Sequence, residues 1–150
     1  MTIIGEGNYK NELKNLRDNL GLTKCVTFWG GCERDIILSN FWQSDVFILI
    51  SLAESFGNVF IEAMACGLPI IGPNKGGIPD LVSEENGILV QPDNIQQIKS
   101  AILTMKNNKE MRIRMGKVNS EKAKEYSWGK IALAYKDIYM KNLNGHDKQN

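Results

Sequence analysis

A short apolar run, a glycine-containing turn and a helical stretch follow one another in the segment 46–72, and this order constrains the fold more than any other feature. The run VFILI at its start is continuous rather than alternating, which is typical of a parallel strand covered on both faces. The residues from Asn58 favour a helix that ends at Gly67, and PIIG at 69–72 predicts a second buried strand. A strand, a helix and a strand in this order predict a right-handed crossover, and therefore an α/β fold with a parallel sheet.

The rest of the chain alternates in the same way between short apolar runs and segments with apolar residues at helical spacing. TIIG, CVTFW and ILV predict three further strands, at 2–5, 25–29 and 88–90. Periodic segments predict helices over 9–20, 34–44, 95–105, 111–118 and 128–143, with Asp93 as the N-cap of the third. We therefore expect one Rossmann-like domain over 1–143, with helices on both faces of its sheet, and a polar, disordered tail over 144–150.

Apolar side chains that share one face of a predicted helix are expected to be buried. Cys25 and Cys66 are expected to be small buried apolar groups of the same core. The helical residues predicted to be buried are Leu13, Leu16, Leu20, Ile36, Ile37, Phe41, Trp42, Ile95, Ile98, Ile102, Met105, Met111, Met115 and Val118.

Composition narrows the possible functions. The 18 basic and 17 acidic residues give a net charge of +1, which argues against nucleic acid as a partner and allows at most a peripheral membrane contact. No apolar run approaches the roughly 20 residues of a membrane span, and no charged-then-apolar leader is present, so a cytoplasmic protein is expected. The three cysteines form no C-x-x-C pair and only one histidine is present, so we expect reduced thiols and no metal site.

The turn ESFGN, at 54–58, is the strongest candidate for a binding site. It precedes a predicted helix, whose first N–H groups lack partners within the helix and favour an anion such as phosphate. Glu54 in the turn and Glu62 in the helix can each accept hydrogen bonds from two hydroxyls, as a ribose diol requires. These features point to a sugar–diphosphate–ribose ligand. The same spacing also fits a solvated loop carboxylate and an ordinary helical carboxylate.

Two glycine pairs follow other predicted strands. Gly30-Gly31 and Gly76-Gly77 allow a ligand to approach the backbone closely at the carboxyl ends of parallel strands, where ligands bind in doubly wound sheets. Lys75 lies beside the second pair and could approach a phosphate. A plain turn explains the first pair equally well, and a solvated lysine explains Lys75. The GxG in GEGNYK lacks the third glycine of a dinucleotide-binding fingerprint.

Three motifs together resemble the C-terminal domain of the group 1 (family 4) glycosyltransferases. They are ESFGNVFIEAMACGLPII from Glu54, GGIPDLV from Gly76 and NGILVQPDN from Asn86, and the likeness extends over residues 3–139. The resemblance implies the donor-binding half of a GT-B fold and a nucleotide-diphospho-sugar as ligand. It implies that Glu54, the catalytic candidate, contacts the donor sugar, that Glu62 holds the ribose diol, and that the loop at 29–31 lies near the base. Backbone amides for sugar and phosphate would come from Ser55, Phe56, Gly57, Asn58 and Val59.

Two parts of the family pattern are absent from this sequence. The chain starts inside what would be the second βα unit, so the usual Arg and Lys that meet the pyrophosphate are missing. The N-terminal acceptor domain is missing as well. We therefore expect weakened donor binding, no activity of this chain alone, and exposed apolar surface around Ile131, Tyr135 and Ile138.

The leading prediction is the donor-binding part of a retaining sugar transferase without a metal or other cofactor, in bacterial polysaccharide or glycolipid assembly. Its partners would be the nucleotide-sugar and either a separate N-terminal half or a second copy bound through the last helix. A non-catalytic nucleotide-sugar-binding or interaction module, or a truncated remnant, is the alternative. A nucleotide-sugar epimerase ranks third, because ESFGNVFIEAMA fits the transferases better.

Overall fold

The computed structural model describes residues 1–146, of which residues 142 and 144–146 are described by their backbone only. The chain divides into two compact units, Met1–Gln43 and a second that begins at Ser44. Each unit is built from strands and helices that alternate along the chain, as the sequence predicts.

The first unit contains a two-stranded parallel sheet and two helices. Strand β1 pairs with β2, with Thr2 opposite Thr27, and the register shifts at the end of the pair. The elements are β1 (Thr2–Ile4), α1 (Lys10–Asn19), β2 (Thr27–Gly30) and α2 (Arg34–Trp42).

The second unit contains a three-stranded parallel sheet in the order β3-β4-β5. Phe47 lies opposite Ile70, and Ile70 lies opposite Gly87, so the strands are in register at their starts. The elements are β3 (Phe47–Ile48), α3 (Asn58–Ala65), β4 (Ile70–Pro73), α4 (Ile78–Leu81), β5 (Gly87–Val90), α5 (Ile95–Asn107), α6 (Lys109–Ala123), a 3-10 turn (Lys124–Tyr126) and α7 (Trp128–His146).

Both faces of the second sheet are covered, which explains why its strands are continuous apolar runs. On one face the ring of Phe60 from α3 meets that of Phe47 edge to face, with centroids 5.3 Å apart. On the other, Ile71 and Val90 pack against Met105 of α5 in the buried core. The predicted α/β fold with a parallel sheet is confirmed.

Some boundaries differ from the sequence predictions. The turn-rich segment after β4 contains the short helix α4, which was not predicted. Asp93 as the N-cap of α5 is wrong, because Asn94 has this position and its side chain accepts a hydrogen bond from the Gln97 N–H at 3.0 Å. Helix α7 continues three residues past the predicted end at 143. The rest of the predicted tail, 147–150, lies outside the described residues.

Several predicted core positions are wrong. Helix α1 buries none of its residues, and Leu16 is 53% exposed. Spacing shows which side chains share a helix face, but the face is buried only where another element covers it. The predicted core residues that are exposed are Leu13, Leu16, Leu20, Cys25, Ile36, Trp42, Ile95 and Ile102. Those that are buried or half-buried are Ile37, Phe41, Cys66, Ile98, Met105, Met111, Met115 and Val118.

Helix α7 carries exposed apolar side chains. Tyr135 and Ile138 are 58% and 55% exposed, as predicted, whereas Ile131 is half-buried. Leu133 and Tyr139 also lie at the surface. Within residues 1–146, no helix is both long enough and apolar enough to cross a membrane.

Candidate functional site

The loop from β3 to α3 starts at the carboxyl end of a strand and ends at Gly57, the N-cap of α3. Gly57 has φ +77°, a conformation that residues with a Cβ seldom adopt. A Cβ there would lie 2.7 Å from the Phe60 ring and 2.8 Å from Ile78, so there is also no room for one. Helix α3 begins immediately, with the Phe60 N–H donating to the Gly57 carbonyl at 2.9 Å. Glycine is therefore required for the loop to enter the helix at this angle.

The first backbone amides of α3 face an open surface. Asn58 is exposed and Val59 is half-buried. Within the described part of the chain, no side chain caps this helix end. The first N–H groups of a helix need acceptors from outside the helix, and together they favour an anion. The end of α3 therefore offers hydrogen-bond donors of the kind that suit a phosphate, and phosphate binding there stays a prediction.

The loop between β4 and α4 also supports this turn. The Gly77 N–H donates to the Glu54 carbonyl at 3.2 Å. A Cβ on Gly76, which has φ +64°, would collide with the same carbonyl oxygen, and one on Gly77 would collide with that of Ser55. The structure thus assigns this glycine pair a contact with the turn, whereas contact with a ligand stays a prediction.

Glu54 and Glu62 both belong to this region. Glu54 is half-buried in the turn, and Glu62 is half-buried one helical turn after Asn58. Burial, together with the negative charge of Glu62, raises the pKa of the Cys66 thiol one turn further along. Glu62 therefore lies on the helix face that also carries Cys66. Ser55 and Phe56, which lie between Glu54 and Glu62 in the sequence, are exposed.

The other predicted glycine pair lies in the first unit. Gly30 is buried with φ +75°, and the exposed Gly31 donates its N–H to Glu6 Oε1 at 3.2 Å. The same oxygen accepts from Lys10 Nζ at 2.7 Å. These hydrogen bonds, that from Lys10 first, hold the pKa of the fully exposed Glu6 carboxyl below its ordinary value. The role of Glu6 in this turn was not predicted. The only signal for it in the sequence is its spacing of four residues from Lys10, which suits an ion pair.

Three residues that support the site could not be found from their neighbours in sequence. Tyr126 places its ring against that of Phe56, with centroids 6.2 Å apart. Asn86 and Asn119 are fully buried and hydrogen-bonded to each other at 2.7 Å. Both contacts join distant segments, so no local pattern reports them. Lys75 and Asp80 are exposed.

The family model for glycosyl transferases group 1 matches residues 1–122, most of the chain. The chain belongs to the group 1 glycosyltransferases. It is 30% identical to the sulfoquinovosyl transferase SQD2 of Arabidopsis thaliana over 85% of this chain and 25% of that protein. It is 31% identical to a D-inositol 3-phosphate glycosyltransferase of Streptomyces bingchenggensis over 95% of this chain and 32% of that protein.

Solved structures agree with this membership of the group 1 glycosyltransferases. Sucrose-phosphate synthase from Thermosynechococcus elongatus superposes with a TM-score of 0.83 at 26% identity, over 96% of this chain and 38% of that one. Anabaena HepE, solved in complex with UDP and glucose, superposes with a TM-score of 0.76 at 28% identity, over 83% of this chain and 35% of that one. The chain thus has the fold of part of a GT-B glycosyltransferase, and it spans only about a quarter to two fifths of these relatives' lengths.

Among residues 1–146, no three His, Cys, Asp or Glu side chains lie close enough together to hold a metal ion. The expectation that the protein needs no metal stays a prediction from the sequence.

Proposed function

We propose that this chain is the donor-binding part of a retaining glycosyltransferase, which transfers a sugar from a nucleotide-diphospho-sugar to an acceptor in bacterial polysaccharide or glycolipid assembly. The observation that carries the proposal is the turn at 54–57, which leads into the uncapped N-terminus of α3 with a half-buried glutamate on each side. Family membership and the similarity to HepE, which was solved with UDP and glucose, support the same ligand class.

In this proposal each group has a separate part of the donor to bind. The amides of residues 55–59 bind the diphosphate, since the end of α3 favours negative charge. Glu54 accepts hydrogen bonds from hydroxyls of the sugar, and Glu62 accepts from the ribose diol.

Transfer also requires an acceptor held in the same water-poor geometry as the donor. We propose that a separate N-terminal half holds the acceptor, or that two copies of this chain associate. Either contact would use the exposed apolar side chains of α7, such as Tyr135 and Ile138. The proposed location is the cytoplasm, and the proposed reaction needs no metal.

Calorimetric titration of the whole chain with UDP, GDP and their sugar conjugates tests the donor site. Each charge-assisted hydrogen bond contributes about 1.5–3 kcal/mol, so Glu62→Ala should weaken nucleoside diphosphate binding by about 10- to 100-fold. Glu54→Ala should weaken the sugar conjugate by a similar factor and leave the free diphosphate nearly unchanged.

Glu110→Ala is the matched control, because Glu110 is an exposed glutamate in the first turn of α6. It should bind like the unaltered chain. The site assignment is wrong if both site variants keep full affinity while circular dichroism shows that they are folded. If binding is found but adding an N-terminal half from a relative restores no transfer, the chain is a binding module and the proposed reaction fails.

A further inference from the structure

An aromatic contact joins the candidate site to the end of α6. The rings of Phe56 and Tyr126 lie 6.2 Å apart between centroids at an interplanar angle of 65°, an edge-to-face arrangement. Phe56 stands between Ser55 and Gly57, so its ring is attached to the turn whose amides are proposed to bind the donor. Tyr126 lies beyond residue 122, where the family match ends.

Tyr126 is held in place by the helix that leads to it. Gly116 of α6 packs so closely on the backbone of Gly67 that a Cβ would collide with the Gly67 carbonyl oxygen. One turn later, the buried Asn119 donates to the Leu68 carbonyl at 2.7 Å. The middle of α6 is therefore fixed at the C-terminal end of α3.

Two contacts give the direction of α6. Gly116 lies at the C-terminal end of α3 and Tyr126 lies against Phe56, just before its N-terminal end, so the two helices run antiparallel. From Gly116 to Tyr126 the helix and the 3-10 turn that follows it rise by about 15 Å, at 1.5 Å per residue. Helix α3 and its flanking residues extend over a similar distance from Gly67 back to Phe56. The packing at Gly116 and the contact at Tyr126 are thus compatible in length.

The turn has supports on two sides. On one side Gly76 and Gly77 contact its backbone at Glu54 and Ser55. On the other, the Tyr126 ring contacts Phe56. Phe56 is 46% exposed and Tyr126 only half-buried, so their contact lies outside the buried core and acts mainly on the turn.

We propose that Tyr126 is a positioning residue of the donor site, which holds Phe56 and thereby keeps the amides of residues 55–57 aimed at the diphosphate and sugar. The ring supplies this function and the hydroxyl does not. The proposal rests on the proposed function for its effect on binding, although the effect on the turn itself is independent of any ligand.

The first test is a double-mutant cycle read by calorimetry with UDP and its sugar conjugates. An edge-to-face pair is worth about a 2- to 10-fold shift in an equilibrium. Tyr126→Leu should weaken donor binding by about this factor, and Tyr126→Phe should bind within about 2-fold of the unaltered chain. Phe56→Leu should match Tyr126→Leu, and the double variant should be no weaker than either.

Tyr9→Leu is the matched control, since Tyr9 is an exposed tyrosine of the first unit. It should leave affinity unchanged. Additive losses in the double variant, unchanged affinity in folded Tyr126→Leu, or an equal loss in Tyr126→Phe would each overturn the positioning role.

The second test needs no ligand and separates this inference from the donor-site assignment. Hydrogen exchange of the amides at 55–57 should speed up by about 2- to 10-fold in Tyr126→Leu and stay unchanged in Tyr126→Phe. The amides of the buried Ile70 and Ile71 serve as an internal reference for global unfolding.

If the unaltered chain binds no nucleotide, the proposed function fails and this exchange measurement alone decides whether Tyr126 positions the turn. Unchanged exchange at 55–57 would overturn the inference. If Tyr126→Leu does not fold, the same hydrogen-exchange measurement is made on Phe56→Leu, which removes the other ring of the contact.

Discussion

Two turns of this chain have nearly the same backbone conformation but are held in different ways. Gly30 at the end of β2 and Gly57 before α3 have φ values of +75° and +77°. The Gly30 turn is closed by the side chains of the exposed Glu6 and the half-buried Lys10. The Gly57 turn is packed against backbone and against the buried side chains of Phe60 and Ile78, with Gly76 set against the Glu54 carbonyl. A flexible side chain can move away from a new group, whereas backbone in a packed loop cannot, so the second turn should tolerate far less change.

The largest effect should come from Gly76→Ala. A left-handed conformation costs a non-glycine residue about 1–2 kcal/mol. Overpacking against the Glu54 carbonyl adds about 1–3 kcal/mol. Urea unfolding should therefore show a large loss in the free energy of unfolding.

Gly30→Ala is the comparison in the first unit. The left-handed conformation costs alanine a similar free energy there, but the new Cβ meets only the end of the Glu6 side chain, which can move away. Gly31→Ala, which has only Glu6 Cγ at 3.7 Å near its new Cβ, should be nearly neutral. Equal losses at Gly76 and Gly30 would remove the distinction between the two turns.

A smaller loss is expected from Asn119→Ala in the buried network of the second unit. Asn119 donates to the carbonyls of Leu68 and Asn86 at 2.7 and 2.8 Å, and accepts from the Asn86 side chain. Each buried group left unpaired costs about 1–3 kcal/mol, so urea unfolding should show at least that loss. Ser120→Ala, at the next position of α6, removes only a hydroxyl that donates to the Lys117 carbonyl and should change stability by less than about 0.5 kcal/mol. A neutral Asn119→Ala would show that water replaces the network.

The smallest effect concerns the pH dependence of the turn in the first unit. The pKa of Glu6 is lowered from its ordinary value of 4.5 by hydrogen bonds from Lys10 and Gly31. A lowered pKa in the folded state means that the contact stabilises at higher pH and is lost as the pH falls through the folded-state pKa. A carboxyl-carbon NMR titration should give a midpoint below 4.5 for Glu6, with the Gly31 amide shifting at the same pH.

Lys10→Met should move that midpoint upward, because it removes the largest cause of the shift. Lys14→Met, which removes only the weakest of the charges acting on Glu6, should move it much less. An unchanged midpoint in Lys10→Met would mean that the pair does not persist in solution.

The sequence predicted the order of elements well, because strands and helices leave periodic signals that need only neighbouring residues. All five predicted strands and the parallel pairing are present. The sequence was a poorer guide to which of two neighbouring residues would cap a helix. Asp93 and Asn94 are both good capping residues, and the loop geometry before α5 selected Asn94. Helix α4 was missed since it is only four residues long and follows two glycines.

For the candidate site, the sequence alone predicts the turn, Glu54, Glu62 and both glycine pairs, because these lie within short motifs with a chemical meaning of their own. Only the tertiary structure showed that Gly76 and Gly77 pack on the turn, that Glu6 closes the Gly31 turn, and that Tyr126 meets Phe56. It also left the apolar face of α1 exposed. The physical reason is the same in each case: burial and contact depend on which distant segment arrives at a surface, and a residue's own neighbours in sequence carry no record of that.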